Sequence, residues 1–286
     1  MSTLAFAVPF VIAFAVFAWL PIARTLTISF QETNLVDYSW VGLDNFRAVL
    51  TDPLLPVAIG NTAYFALLAL LFGYPLPLVG AVLMSEVRRR KGLYSVLAYL
   101  PVVVPPVVAV LLWRFFYDPR PQGVFNAILG WFGLGPFPWL QSQTMAMPSL
   151  VLYATWAAAG GTVIIYLAAL LGVPSDLYEA AEVDGASVWR KVWHVTMPQL
   201  RPVLLITFIL QIIGTAQVFL EPFLFTGGGP ANATITLLLL IYRYAFGQSL
   251  GADFGKATAL SLMLAVFLAV MSLLYFRLTR SWSTRA

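Results

Sequence analysis

The chain contains no cysteine and a single histidine, His194. Without thiols there is neither a disulfide framework nor a thiolate metal site, and one imidazole speaks against a histidine-built metal centre. Charge is scarce as well, since 16 Lys and Arg and 12 Asp and Glu make up only 10% of 286 residues. A water-soluble domain carries roughly a quarter of its residues charged, so a soluble globular protein is excluded. What stands in place of charge is apolar: 60% of residues are hydrophobic and the mean hydropathy is +0.86. Most of the surface must therefore face lipid. The net charge of +4 would suit nucleic acid if the cations shared one polar face. They lie instead in short clusters between long apolar runs, so no nucleic-acid partner is expected and the clusters read as topology signals.

Uncharged stretches cover residues 1–23, 53–85, 92–113, 121–175, 202–220 and 257–276. Each is near or above the roughly 20 residues that a helix needs to cross hydrocarbon. An all-α polytopic membrane protein with six transmembrane helices follows, at about 4–22, 62–84, 93–113, 150–171, 203–220 and 257–276. Residues 131–140 are apolar but divided by Gly and Pro, which suits an interfacial stretch, and residues 235–246 are too short to cross. Arg88, Arg89, Arg90, Lys91, Arg190, Lys191, Arg201, Arg277, Arg280 and Arg285 fall on one side of this topology, which is accordingly cytoplasmic and holds both termini. Helix one fits least well, because no charge precedes it and Arg24 follows it on the expected outside. An upstream start codon would account for this; a cleaved signal peptide is the other reading but would lack its basic n-region, and the segment is read as helix one. No internal repeat relates the two halves of the chain.

Prolines 75, 77, 101, 105, 106 and 222 lie within or beside spans. Each kinks a helix and frees a carbonyl, which lipid tolerates only where protein or water meets it, so helices two, three and five are candidates to line a pathway. The alternative is that prolines are simply common in membrane helices. Ala154, Ala157, Ala158, Gly160 and Gly161 in helix four let another helix approach closely. Ionisable groups are nearly absent from the spans, whereas an ion-coupled carrier usually needs an intramembrane Asp, Glu or His relay. Glu221 comes closest. It forms a polar passage with Gln211, Thr215 and Gln217, or else it is an interfacial carboxylate beside a helix-ending proline. Energy for any transport must then arrive from another subunit.

Residues 172–202 are the only long polar segment on the expected inner side. Asp176 and Glu179 have capping-box spacing, which predicts a helix from near Leu177 that ends at Gly185 in a left-handed turn. A second helix begins at Ser187. Val188, Trp189, Val192, Trp193 and Thr196 share one face of it and Arg190, Lys191 and His194 the other, until Pro198 and Pro202 stop it. Such an elbow could rest on anionic lipid. Lipid alone would not require the acidic Asp176, Glu179, Glu182 and Asp184 or the tight Gly185 turn, so docking to a cytoplasmic protein accounts for more of the pattern.

Glu179-Ala180-Ala181, Asp184-Gly185-Ala186, Trp189, Trp193, Pro198 and Arg201-Pro202 resemble the EAA loop of the permeases of binding-protein-dependent ABC importers, in their carbohydrate-uptake branch. Asn61-Thr62, Leu100-Pro101 with Pro105, Trp113-Arg114, Thr226-Gly227-Gly228-Gly229-Pro230 with Thr234, and Tyr242-Arg243 with Ala245-Phe246 are also similar to patterns of that family, so the resemblance covers about residues 5–277. It implies a type I importer transmembrane fold and a single permease domain over 1–286, with a core at about 57–277. Glu179, Ala180, Ala181, Asp184, Gly185, Ala186, Trp189 and Pro198 would form the coupling helix that docks into a separate ATPase. The implied partners are a second homologous permease, two cytoplasmic ATPase subunits and an extracytoplasmic solute-binding protein, in the bacterial inner membrane. The chain itself would catalyse nothing and hold no metal or cofactor, ATP and Mg belonging to the ATPase. The implied solute is a sugar, an oligosaccharide or a related polyol phosphate.

Three other readings are weaker. The GGGP run lacks the Gly-Lys-Ser/Thr ending of a phosphate loop. A lone ion-coupled carrier lacks its relay. A membrane-embedded lipid-modifying enzyme would need clustered Asp, His or Ser at the interface, and the acidic residues of the elbow lack metal-type spacing.

Overall fold

The computed structural model describes residues 2–33, 36–87, 91–247 and 252–283. The first span is α1 (Ser2–Phe14), a π turn (Ala15–Trp19) and α2 (Leu20–Ile28), so the helix runs past residue 22 and includes Arg24. A small hairpin that the all-helical reading lacks follows it. In this hairpin β1 (Gln31–Thr33) pairs antiparallel with β2 (Tyr38–Trp40), Gln31 opposite Trp40. After α3 (Asp44–Leu50), the second span comprises α4 (Leu54–Leu68), a π turn (Ala69–Gly73) and α5 (Pro75–Glu86).

The third span is corrected by the structure. The expected single helix over 93–113 is two, α6 (Lys91–Val103) and α7 (Pro106–Phe116), bent by 96° at their break. Adjacent Pro105 and Pro106 remove two successive N–H donors, and a residue before proline is pushed to extended backbone. Pro105 accordingly has ψ 132° and stands at the N-cap of α7. A short α8 (Val124–Gly130) precedes the aromatic stretch 131–140, which forms turns and no helix; Trp131 there is 82% exposed. The remaining helices are α9 (Ala146–Leu171), α10 (Ser175–Val183), α11 (Val188–Lys191), α12 (Met197–Ala216), α13 (Leu220–Phe225), α14 (Leu237–Phe246) and α15 (Phe254–Ser283).

A second correction concerns the prolines of the elbow. The helix begun after Ser187 does not stop at Pro198 or Pro202: α11, a π turn (Val192–Thr196) and α12 are continuous, with Thr196 and Met197 both helical. All three π turns end two residues before a proline, at Pro21, Pro75 and Pro198. In each, the N–H just before the proline reaches the carbonyl five residues back: Leu20 to Ala15, Tyr74 to Ala69 and Met197 to Val192. A proline ring collides with the carbonyl four residues back, and a turn widened by one residue relieves that collision without ending the helix.

Among the described residues five helices are long and apolar enough to span a membrane, or six if α6 and α7 count as one broken span. Exposed side chains such as Phe6, Phe17 and Leu171 give these helices an apolar exterior. The protein is mostly helical and membrane-embedded.

Contacts divide the chain into two units, residues 1–59 with 237–273 and residues 60–236 with 274–286. In the first, Asp52 gathers a polar knot. Lys256 Nζ (2.9 Å) and the Tyr244 hydroxyl (2.7 Å) donate to Oδ2, the Leu54 N–H (2.8 Å) donates to Oδ1, and the ammonium lies 4.4 Å from the Tyr244 ring centre. Burial alone would raise the Asp52 pKa, but the hydrogen bonds from Lys256, Leu54 and Tyr244 outweigh it and hold the carboxyl below its usual range.

In the second unit, Trp113, Tyr117, Met147, Leu150, Tyr153 and Phe225 form a buried core rich in aromatic rings, with Trp113 and Tyr153 edge to face at 5.6 Å. Beside it, buried Asn126 organises the segment from residue 118 to 139. Its amide nitrogen donates to the carbonyls of Asp118, Arg120 and Phe137 at 3.1–3.3 Å, while Oδ1 accepts from the Phe137 N–H (2.9 Å) and the Trp139 indole (3.1 Å). The Arg120 side chain donates to the Asp118 carboxylate and holds that group down at about 2.

Candidate functional site

Within the second unit a cavity of about 520 Å³ opens between the second span, α9 and α12. Phe65, Ala69, Gly73, Tyr74 and Pro77 line it from the second span. α9 supplies Ala154, Thr155, Ala158, Ala159 and Thr162, and α12 supplies Thr207, Leu210, Gln211, Gly214 and Thr215. The intervals of three and four residues put each set on one helical face. Gln217, Val218, Phe219, Leu220 and Glu221 close one end. Gln211, Thr215, Gln217 and Glu221 are thus brought to a single cavity. Their polar groups are not equivalent: the Thr215 hydroxyl donates to its own helix at Ile212 (3.0 Å) and the Gln217 amide to Ile213 (3.3 Å), whereas the Gln211 amide makes no bond to another described residue. Glu221 is the only acid in the lining, and no Lys, Arg or His is present.

Tyrosine hydroxyls fix α12 from three sides. Tyr74 donates to the Leu204 carbonyl (2.7 Å), Tyr275 to the Leu205 carbonyl (2.6 Å), and Tyr166 pairs with the Thr207 hydroxyl (2.8 Å). The small residues of helix four divide their work. Ala154 and Ala158 line the cavity, Ala157 packs on the aromatic core, and Gly160 meets the α6 backbone at Ala98. Residues of helices two and five line the cavity, and no described residue of the broken helix three does. Thr155, Thr162, Thr207 and Tyr74 were not singled out from sequence. For the three threonines the signal is their spacing of three or four residues from Ala158 and Gln211, whereas Tyr74 lies on another span and carries no such signal.

The elbow differs from expectation at its start. α10 begins at Ser175 behind Pro174, so Asp176 lies in the first turn and is not the cap. Pro174 stands at the N-cap with ψ 132°, outside the helical region. The end is as expected: Gly185 has φ +72°, its N–H bonds the Glu182 carbonyl (3.0 Å) and the Ala186 N–H the Ala181 carbonyl (2.9 Å), the paired bonds of a Schellman stop. Ser187 caps the next helix by accepting from the Arg190 N–H at 3.4 Å. Glu179, Ala180, Asp184, Gly185, Trp189 and Pro198 are exposed, and Ala181 and Ala186 are half-buried. The apolar face is graded, with Trp189 74% exposed and Thr196 buried. His194 is an exposed residue whose Nδ1 lies 3.0 Å from the Arg190 carbonyl. Of the basic topology signals, Arg88, Arg89, Arg90 and Arg285 lie outside the described residues.

The GGGP loop is a hydrogen-bonded knot between α13 and α14, with no strand before it. The Thr226 and Thr234 hydroxyls pair at 2.6 Å, Thr234 donates to the Gly229 carbonyl (2.8 Å), and the Asn61 amide donates to the carbonyls of Asn232 (2.8 Å) and Ile235 (2.9 Å). These bonds explain why Asn61, Thr226 and Thr234 occur together.

Residues 73–284 match the family described as binding-protein-dependent transport system inner membrane component. The chain is similar to the arabinooligosaccharides transport system permease protein AraP of Halalkalibacterium halodurans, 32% identical over 269 residues that cover 93% of this chain and 84% of AraP. It is also similar to the lactose transport system permease protein LacF of Rhizobium radiobacter, 32% identical over 280 residues, 96% of this chain and 93% of LacF. Among solved structures, a chain of a bacterial alginate ABC transporter in complex with alginate pentasaccharide-bound periplasmic protein superposes with a TM-score of 0.86 at 26% identity, covering 98% of this chain and 94% of that one. The chain therefore belongs to the binding-protein-dependent transport system inner membrane components: it is a multi-pass inner-membrane permease subunit of an ABC importer that works with a binding protein and leaves ATP binding and hydrolysis to separate ATPase subunits.

Proposed function

We propose that this permease conducts an uncharged sugar or oligosaccharide through the cavity of Gln211, Thr215, Gln217 and Glu221. The lining of that cavity carries the reading. Hydroxyl and amide groups can exchange hydrogen bonds with a polyol, while a carboxylate or phosphate would meet no cation and would face Glu221. AraP and LacF are named for arabinooligosaccharides and lactose, which supports a carbohydrate. A second homologous permease completes the pathway, two ATPase subunits dock beneath it, and both termini are cytoplasmic. Residues 1–286 act as one permease domain with its core at about 57–277.

Glu179, Ala180, Ala181, Asp184, Gly185, Ala186, Trp189 and Pro198 form the surface that enters the ATPase. The small residues permit close approach, and the exposed Glu179 carboxylate supplies a polar contact. Closure of the ATPase dimer on ATP draws the elbows together and turns the cavity outward to receive solute from the binding protein, the alternating-access exchange of two states. Because binding free energies couple reciprocally, loaded binding protein and ATP, each favouring the outward state, tighten one another's binding.

The complete importer in vesicles should accumulate a neutral trisaccharide and reject its uronate counterpart. Preference for the uronate would refute the solute class. Glu179→Arg should lower ATPase recovery with the affinity-purified permease by about tenfold or more, as expected when a buried interfacial contact is reversed in charge. Full recovery and full uptake would refute the docking surface.

A further inference from the structure

The helix that leaves the elbow is the helix that lines the cavity. α11, the π turn Val192–Thr196 and α12 form one continuous path from exposed Trp189 to Thr207 and Gln211. A force applied at the elbow reaches the cavity only if this path does not yield, and the π turn is the place where it would. Such turns interrupt the regular α-helical ladder with bonds to the fifth residue back and occur frequently at functional sites.

Two side-chain bonds from α10 land at the two ends of that turn. Glu182 Oε1 accepts from Lys191 Nζ at 2.7 Å, and Lys191 is the residue immediately before the turn. The Tyr178 hydroxyl lies 3.0 Å from the Thr196 hydroxyl, and Thr196 is the last residue of the turn. Tyr178 and Glu182 are four residues apart on α10, a rise of about 6 Å, which matches the length of a single wide turn. α10 therefore lies alongside the π turn and is fastened above and below it. The two fastenings are unequal. The ion pair is partly solvated, with the Glu182 side chain 63% exposed, and an exposed pair holds weakly. Thr196 is only 4% exposed, so its bond to Tyr178 is shielded from competing water.

We infer that α10 is a splint on the π turn and that the Tyr178–Thr196 bond is its positioning contact, which makes movement of the docked elbow carry α12 with it. This rests on the proposed docking of the elbow to the ATPase. Neither residue belongs to the docking surface. Their role is to pass the movement on, so their loss separates hydrolysis from transport without separating the subunits.

The test uses the complete importer in vesicles, carrying Tyr178→Phe, Thr196→Val or Thr196→Ser. Solute taken up per ATP hydrolysed is measured together with the amount of ATPase that co-purifies. Tyr178→Phe and Thr196→Val each remove the bond while keeping shape, and each should retain the ATPase while solute moved per ATP falls roughly fivefold, the equivalent of one shielded hydrogen bond. Thr196→Ser keeps the hydroxyl and should preserve the ratio, which also shows that the site tolerates replacement. An unchanged ratio in both Tyr178→Phe and Thr196→Val overturns the splint. Loss of the ATPase from those two variants also overturns it, because the residues would then be part of the docking surface. If the unaltered permease recovers no ATPase at all, the docking proposal itself fails.

Discussion

Uptake is expected to fall to background in Gly160→Ala. A Cβ at this position of α9 would overlap the Ala98 carbonyl of α6 and come within 3.0 Å of the Tyr99 Cα. The obstacle is backbone on both sides, with no flexible side chain to turn away, so α6 must move off α9. Overpacking of this kind costs about 1–3 kcal/mol where side chains can adjust, and a backbone collision lies at or beyond the upper end. The neighbouring residue is the control. Gly161 has nothing within 4 Å of the equivalent position, and Gly161→Ala should leave the protein as stable or slightly more so through its better helix propensity. Thermal unfolding of both variants in detergent decides the matter, and equal midpoints would show that α6 and α9 do not approach as described.

Asn126→Ala should be the most damaging truncation outside the spans. Its side chain makes five hydrogen bonds, and truncation strands the Phe137 N–H and the Trp139 indole in a part-buried setting. A fully buried donor left without a partner costs about 1–3 kcal/mol, so two part-buried ones cost up to roughly that amount each. Loss of protease resistance between residues 118 and 139, with Trp139 becoming accessible to a fluorescence quencher, is the expected result. Asn126→Asp keeps the Oδ1 acceptor but turns a second carboxylate oxygen on the Asp118, Arg120 and Phe137 carbonyls, so it should be at least as damaging as alanine. A variant as resistant as the unaltered protein would mean that the segment is held by its aromatic contacts alone.

The features that were legible in the sequence are those set by local chemistry. Gly185 announces a left-handed stop because few other residues adopt that φ, and the second helix starts beside Ser187 as its sequence pattern indicates. Gln211, Thr215, Gln217 and Glu221 were grouped from their polarity in an apolar run, and the fold brings them to one cavity. Misreadings cluster where proline meets its neighbours. Pro198 reads as a stop until the wide turn before it is known, while Pro105 and Pro106 read as a kink although two in succession break the helix. The partners of Asn126 and Asn61 are not legible in the sequence, since an amide on a helix becomes a hub only once distant carbonyls have been folded around it. The strands Gln31–Thr33 and Tyr38–Trp40 are too short to show a period, and Thr155 joins the cavity only through tertiary packing.

The wide turn between α11 and α12 has a geometric consequence. An inserted residue advances every later side chain by about 100° around the axis. The bearing of exposed Trp189 at the elbow and the bearing of Gln211 toward the cavity are thus two separate angular settings on one rod. Shortening residues 192–196 by one would keep the rod intact and its composition nearly unaltered, yet aim one end the wrong way. A family of such proteins can retain every motif letter and still differ in function by a single gap in this stretch.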